Sequence, residues 1–164
     1  WGKLINNACM SGMSAACGSV YGDILDNDKA RACLSYLGNE VKRCCEASGY
    51  QLPELLHEQS PETFDLADQD MFDANQRVFL DMYSDMRTGK ASMLQDLEKG
   101  RHTEVRMING YVCQVGDELG IDTPFNDKIV EIVSGIERDE LPLSIKNVEL
   151  FPDELFRYKL YHVQ

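Results

Sequence analysis

Between Val105 and Leu119 the apolar residues Val105, Ile108, Val112, Val115 and Leu119 recur every three or four positions, and Gly120 ends the pattern. That spacing lays them along one face of an α-helix, a face that is stable in water only when other elements cover it. The same period returns after Asp122-Thr123-Pro124, where Ile129, Ile132, Val133 and Ile136 form the next apolar stripe. Upstream, residues 1–17 read as a helix dense in small side chains (Ala8, Ser11, Gly12, Ser14, Ala15, Ala16), which lets a neighbouring helix approach closely. Gly18 to Asp26 reads as a turn-rich break. Asn27 or Asp28 is placed to cap a second helix reaching about Ser48, with Gly49 as its stop.

Residues 50–60 read as a loop, and Ser60-Pro61-Glu62 as a helix start with proline in the first turn; helical material then extends, with room for a break, to Met86. A short helix over about 92–99 stops at Gly100. No stretch alternates with period two, and no Asn-Gly turn joins β-branched runs. The expected fold is therefore all-α, a multi-helix bundle.

A chain of 164 residues holds one domain with a substantial core. Its formal net charge of −12 argues against nucleic acid and against an anionic membrane surface, because both are held by clustered Lys and Arg. A small anionic substrate stays compatible, since a pocket needs only one or two well-placed cations. No apolar run approaches the roughly 20 residues needed to cross a bilayer. The six cysteines show no CxxC and mostly fall at helical positions among apolar residues. They read as buried reduced thiols, neither disulfides nor metal ligands, and point to a cytoplasmic location. The chain opens on Trp1, which reads as a piece of a longer protein.

Two groups of polar residues are candidates for chemistry. On the first helix Lys3, Asn7, Ser11 and Ser14 line up at one-turn intervals as a polar stripe, which is either the wet face of that helix or the wall of a site. The stretch from Ser92 to Glu104 concentrates hydroxyl, amide, carboxylate, imidazole and cation ahead of the amphipathic helix. Singly, its members have structural explanations. Ser92 with Gln95 fits a capping box, Asp96 with Arg101 an ion pair, and His102 a surface or packing position. Glu104 sits at the positive end of a helix dipole.

Together they form a pattern. Trp1-x-Lys3-Leu4-x-x-Asn7 and Ser92-Met93-x-Gln95-Asp96-x-x-x-x-Arg101-x-Thr103-Glu104, followed by Ile108-Asn109-Gly110, resemble the ketopantoate reductases (2-dehydropantoate 2-reductases) in residue type, spacing and order. Gly120-Ile121-Asp122-Thr123-Pro124 is similar to the family's segment before its next helix, and the resemblance covers about residues 1–138. It implies a fold like the C-terminal domain of 6-phosphogluconate dehydrogenase-like reductases. Residues 1–140 would be the catalytic and substrate domain, with 141–164 an extension of unassigned structure. The family's Rossmann domain would precede them, and no Gly-x-Gly-x-x-Gly occurs in this chain.

The implied activity is NADPH-dependent reduction of 2-dehydropantoate (ketopantoate) to pantoate, on the route to pantothenate and coenzyme A. NADPH would be bound mainly by the missing domain, leaving this domain inactive alone. By the same likeness Lys3 is the general acid and stabilises the developing alkoxide. Glu104 is its carboxylate partner and accepts from a substrate hydroxyl. Asn7, Ser11 and Ser92 bind substrate, with Ser92 near its carboxylate, and Asp96 orients its neighbours. No metal is implied, and a homodimer is a further candidate assembly. Ser11 stands where many members carry a second asparagine, so a reductase of another 2-oxo acid is the alternative. A non-catalytic helical dimerisation or interaction module is the other.

Overall fold

The computed structural model describes residues 1–54 and 59–163. Among them the chain is helical throughout, with no β-sheet. Residues 2–17 run as one helix in three parts: α1 (Gly2–Asn6), a π-wound turn (Asn7–Ser11) and α2 (Gly12–Cys17), closed by Gly18 in the left-handed conformation. Then come α3 (Tyr21–Asp26), α4 (Asp28–Ala47), α5 (Gln69–Met82), α6 (Ser92–Glu98), α7 (Val105–Leu119) and α8 (Pro124–Glu137).

The sequence signals for these elements act as expected at most ends. The Asn27 side chain accepts from the Ala30 N–H and opens α4. Gly49, Gly100 and Gly120 adopt positive φ just beyond α4, α6 and α7. The small-residue stretch of α2 is buried from Gly12 to Cys17. It shares the centre of the bundle with α4, in which every residue from Ala30 to Lys42 is buried. A helix covered on all sides needs neighbours all round, and α1, α3, α5, α7 and α8 supply them. The stripe of α8 does as its spacing predicts, with Ile129, Ile132, Val133 and Ile136 buried.

Three expectations are corrected. The stretch from Gly18 to Asp26, read as a break, contains α3; Gly22 marks a close approach there, its N–H donating to the Arg87 carbonyl at 2.7 Å. The proline start at Pro61 yields only a 3-10 turn, Pro61–Phe64, and the true helix start is Asp68, whose carboxylate accepts from the Met71 N–H at 2.9 Å. The Ser92–Gln95 capping box does not form: Ala91 precedes α6 with no side-chain cap, and Gln95 Nε2 donates to the Lys90 carbonyl. The loop reading for residues 50–60 falls partly on 55–58, outside the described residues.

The segment after α8 folds back over the bundle. Two 3-10 turns, Ile145–Leu150 and Asp153–Leu155, bracket the fully buried Phe151. Asn147 Nδ2 donates to the Ala16 carbonyl at 2.9 Å, tying this segment to α2. Phe156 and Tyr158 join Tyr36, Phe72, Phe125 and Phe151 in one aromatic cluster, whose centre is Tyr36 stacked on Phe125 at 4.6 Å. Beneath it, the fully buried Arg31 guanidinium donates to the Leu25 and Tyr161 carbonyls and pairs with Asp28 at 2.7 Å. All six cysteines are free thiols, five of them buried and Cys113 half-buried.

Candidate functional site

The π turn is the structural signature of the first helix. An α-helical step of four residues overshoots a full turn, whereas the wider π step falls short of one. The two offsets cancel, so Ser11 returns beneath Lys3 along the helix. The turn is held by a buried amide. Asn109 Nδ2, from α7, donates to the Ala8 carbonyl at 3.0 Å and to Asn126 Oδ1 at 2.9 Å. Gly12 lies against the same amide, close enough that a Cβ there would be 3.1 Å from its nitrogen and oxygen.

The chain of contacts continues to α4. Glu40, 4% exposed, accepts from the Phe125 and Asn126 N–H groups at 2.9 Å each and from Asn126 Nδ2 at 2.7 Å. The π turn, α7, the start of α8 and α4 are thus joined by one buried polar network. Desolvation raises the Glu40 carboxyl from 4.5 to about 7, against the three N–H donors that favour its charged form.

Around this scaffold the sequence-predicted residues are placed as follows. Lys3 is exposed on the first turn of α1, Asn7 is half-buried at the junction with the π turn, and Ser92 is exposed on the first turn of α6. Glu104, exposed, immediately precedes α7. The π turn packs against both α6 and α7, so the helix carrying Lys3 and Asn7 abuts the helices that Ser92 and Glu104 open. Among the described residues the side chains of Lys3, Asn7, Ser92 and Glu104 make no hydrogen bond or ion pair with the rest of the chain. Lys3 and Glu104 do not form an ion pair with each other.

The rest of the stripe is more committed. Ser11 is half-buried, with the Tyr21 side chain as a neighbour. Ser14 is fully buried and donates to the Ser19 carbonyl at 2.7 Å, so it is a structural hydroxyl. The stripe therefore runs from solvent at Lys3 into the core at Ser14. Asp96 is half-buried; its backbone carbonyl, not its carboxylate, receives Arg101, through the Arg101 N–H at 2.8 Å. The expected Asp96–Arg101 ion pair is absent among the described residues. His102 is exposed, as expected of a surface histidine.

Three residues escaped sequence reasoning. Asn109 belonged to a recognised motif without an assigned task. Glu40 stands between buried positions of an apolar helix, and that acid-in-core pattern was its signal. Glu137 ends α8, and a carboxylate there is opposed by the helix dipole, which marks it as needing another partner. Its Oε1 accepts from the Thr103 backbone N–H and from the Thr103 hydroxyl, each at 2.8 Å. These donors hold its carboxyl below the ordinary range despite its burial.

Residues 1–137 match the family model described as "Ketopantoate reductase PanE/ApbA C terminal". The chain is 29% identical over 137 residues to a 2-dehydropantoate 2-reductase of Archaeoglobus fulgidus, an alignment covering 84% of this chain and 40% of the relative. It is 36% identical over 72 residues to a ketoisovalerate reductase of Beauveria bassiana, covering 44% of this chain and 14% of that one. Among solved structures it superposes on a PanE/ApbA family ketopantoate reductase from Ralstonia eutropha with a TM-score of 0.66 at 26% identity, covering 85% of this chain and 41% of that one. The fold is shared as well with the ketopantoate reductase of Staphylococcus aureus, described as dimeric, at a TM-score of 0.64 and 20% identity over 86% of this chain and 43% of that one. The chain spans about 40% of the length of the full-coverage relatives it matches.

Proposed function

The chain belongs to the ketopantoate reductase C-terminal family, and on that premise we propose that it is the catalytic and substrate half of an NADPH-dependent 2-oxo acid reductase. The substrate we assign is 2-dehydropantoate, reduced to pantoate on the route to pantothenate and coenzyme A. In this reading residues 1–140 are the catalytic unit and 141–164 its extension. What carries the reading is the junction of elements at the π turn. It sets the helix of Lys3 and Asn7 against the helices that follow Ala91 and Glu104, and it leaves those four side chains uncommitted among the described residues.

The chemistry follows from residue type. Lys3 donates an Nζ proton to the substrate's carbonyl oxygen as the carbonyl is reduced, and its charge stabilises the forming alkoxide. Glu104 accepts from the substrate hydroxyl and favours the ammonium form of Lys3. Asn7 and Ser92 hold the remaining polar groups, Ser92 at the carboxylate, and Ser11 contributes from the Tyr21 side. Asp96, half-buried in α6 one turn beyond Ser92, orients that end of the helix. A reduced nicotinamide supplies hydride in such a reaction. The described residues contain no Gly-rich strand-to-helix turn to seat a pyrophosphate, so they do not fit a dinucleotide cradle and NADPH is assigned to a domain outside them. The Staphylococcus aureus relative's dimeric description makes a second copy of this chain part of the reading. The neutral-thiol cysteines suit a cytoplasmic setting.

One observation favours a second reading. Ser11 stands where many members carry an amide, which leaves the site one amide short of the usual recognition of a hydroxylated substrate. A preference for a 2-oxo acid without that hydroxyl, such as ketoisovalerate, would follow.

The test is a steady-state assay of the parent enzyme with NADPH and a panel of 2-oxo acids, alongside Lys3→Ala and Glu104→Ala. Each substitution is expected to lower kcat/KM by about a hundredfold or more. Wild-type rates in both variants would remove Lys3 and Glu104 from the chemistry, and the ranking of substrates decides between the two readings.

A further inference from the structure

Glu137 is an acid at the wrong end of a helix, since the C-terminal end of the α8 dipole repels a negative charge. Its side chain is nevertheless only 2% exposed, where an unpartnered carboxylate would be strongly disfavoured. Its surroundings account for it. Oε1 receives both Thr103 donors, while Oε2 lies 3.3 Å from Arg106 Nη1 and 3.4 Å from His102 Nδ1. Thr103 passes the restraint forward, for its hydroxyl also accepts from the Val105 N–H at 3.2 Å. Residue 104 is therefore bracketed. The residue before it is clamped to α8, and the residue after it is bound by that same clamped threonine.

The approach to Glu104 needs such a clamp. From Lys99 to His102 every residue is exposed, and Gly100 sits at a φ of +66°. No apolar side chain of this connection is anchored in the core. Backbone N–H groups of Lys99, Gly100 and Arg101 tie the start of this connection to α6; at its far end, next to Glu104, Thr103 is the fixed point, and Glu137 is what fixes Thr103. We propose that Glu137 is a positioning residue, which by clamping Thr103 sets where Glu104 presents its carboxylate and acts on the reaction only through Glu104. The proposal rests on the reading of Glu104 as a working group of the site.

The experiment is a double-mutant cycle in the full-length enzyme, assayed with NADPH and its best 2-oxo acid. Glu137→Ala is expected to lower kcat by roughly tenfold to a hundredfold, the scale of a misplaced catalytic group. Glu137→Gln keeps an oxygen for the two Thr103 donors and should restore most of the rate. In a Glu104→Ala background, Glu137→Ala should have no further effect on kcat, because the group it positions is gone. Amide hydrogen exchange at Thr103 gives a second readout, protected in wild type and Glu137→Gln and fast in Glu137→Ala. Equal losses in both backgrounds would show a general structural role and overturn the proposal, as would a wild-type rate for Glu137→Ala. If Glu104→Ala alone leaves the rate unchanged, the reading of Glu104 fails first, and the role of Glu137 falls with it.

Discussion

Glu40 sets two effects against each other at one side chain. Three N–H donors stabilise its anion, yet desolvation prevails and lifts the carboxyl from 4.5 to about 7. Folding thus takes up a proton at Glu40 between these values. The native state binds more protons than the unfolded chain in that window, so the stability due to this group falls as pH rises through it and levels off above. Urea unfolding at about pH 5 and about pH 8 should show wild type losing more stability across the interval than Glu40→Gln, which has nothing to titrate there. An equal pH response in both proteins would contradict the assignment. The candidate site was legible at this scale only where residue type and spacing form a pattern, which is what nominates Lys3, Asn7, Ser92 and Glu104. Glu137 and Asn109 act through partners 34 and 101 residues away, and no local spacing announces such a distant hydrogen bond.

Among the elements, those with a sustained 3.6-residue period were the most legible: α4 opens at its Asn27 cap and stops just before Gly49, α7 stops at Gly120, and α8 opens at Pro124. Two glycines inside helices serve packing instead of turning, and Gly22 misled because it stood in a stretch read as a break. Gly22 lies in α3 because Arg87 comes close, and Gly38 lies in the middle of α4 because the Phe64 ring rests on it. At Gly38 a Cβ would sit 2.1 Å from Phe64 Cε1 and 2.3 Å from Cδ1, contacts that no small adjustment relieves. Gly38→Ala gains helix propensity by about 1 kcal/mol, but the overpacking it forces costs about 1–3 kcal/mol or more. A lowered urea midpoint is the expected outcome, and relief of the loss by Phe64→Leu would identify the ring as its cause. The π turn was hidden for another reason. Its cause is the Asn109 amide meeting the Ala8 carbonyl, a tertiary contact that local propensity does not encode.

For the molecule as a whole, the fold class was readable from periodicity, and the route of residues 141–163 was not, because Pro142, Pro152 and scattered aromatics carry no period. The structure makes that segment part of the core. Removing residues 152–164 would take the Tyr161 carbonyl from the buried Arg31 guanidinium and strip Phe156 and Tyr158 from the Tyr36–Phe125 stack. A fall in Tm on the order of 10 °C or more is expected, read by thermal unfolding of the truncated and full chains. An unchanged Tm would mean that this strap is ornamental to stability. The bond from Asn147 to the Ala16 carbonyl has a consequence for how the chain is made. It joins residues 131 apart, so the helix bearing Lys3 waits for one of its partners until residue 147 has left the ribosome. Until then α2 and α4 lack the segment that covers them, and the core closes only once residues 141–163 have emerged.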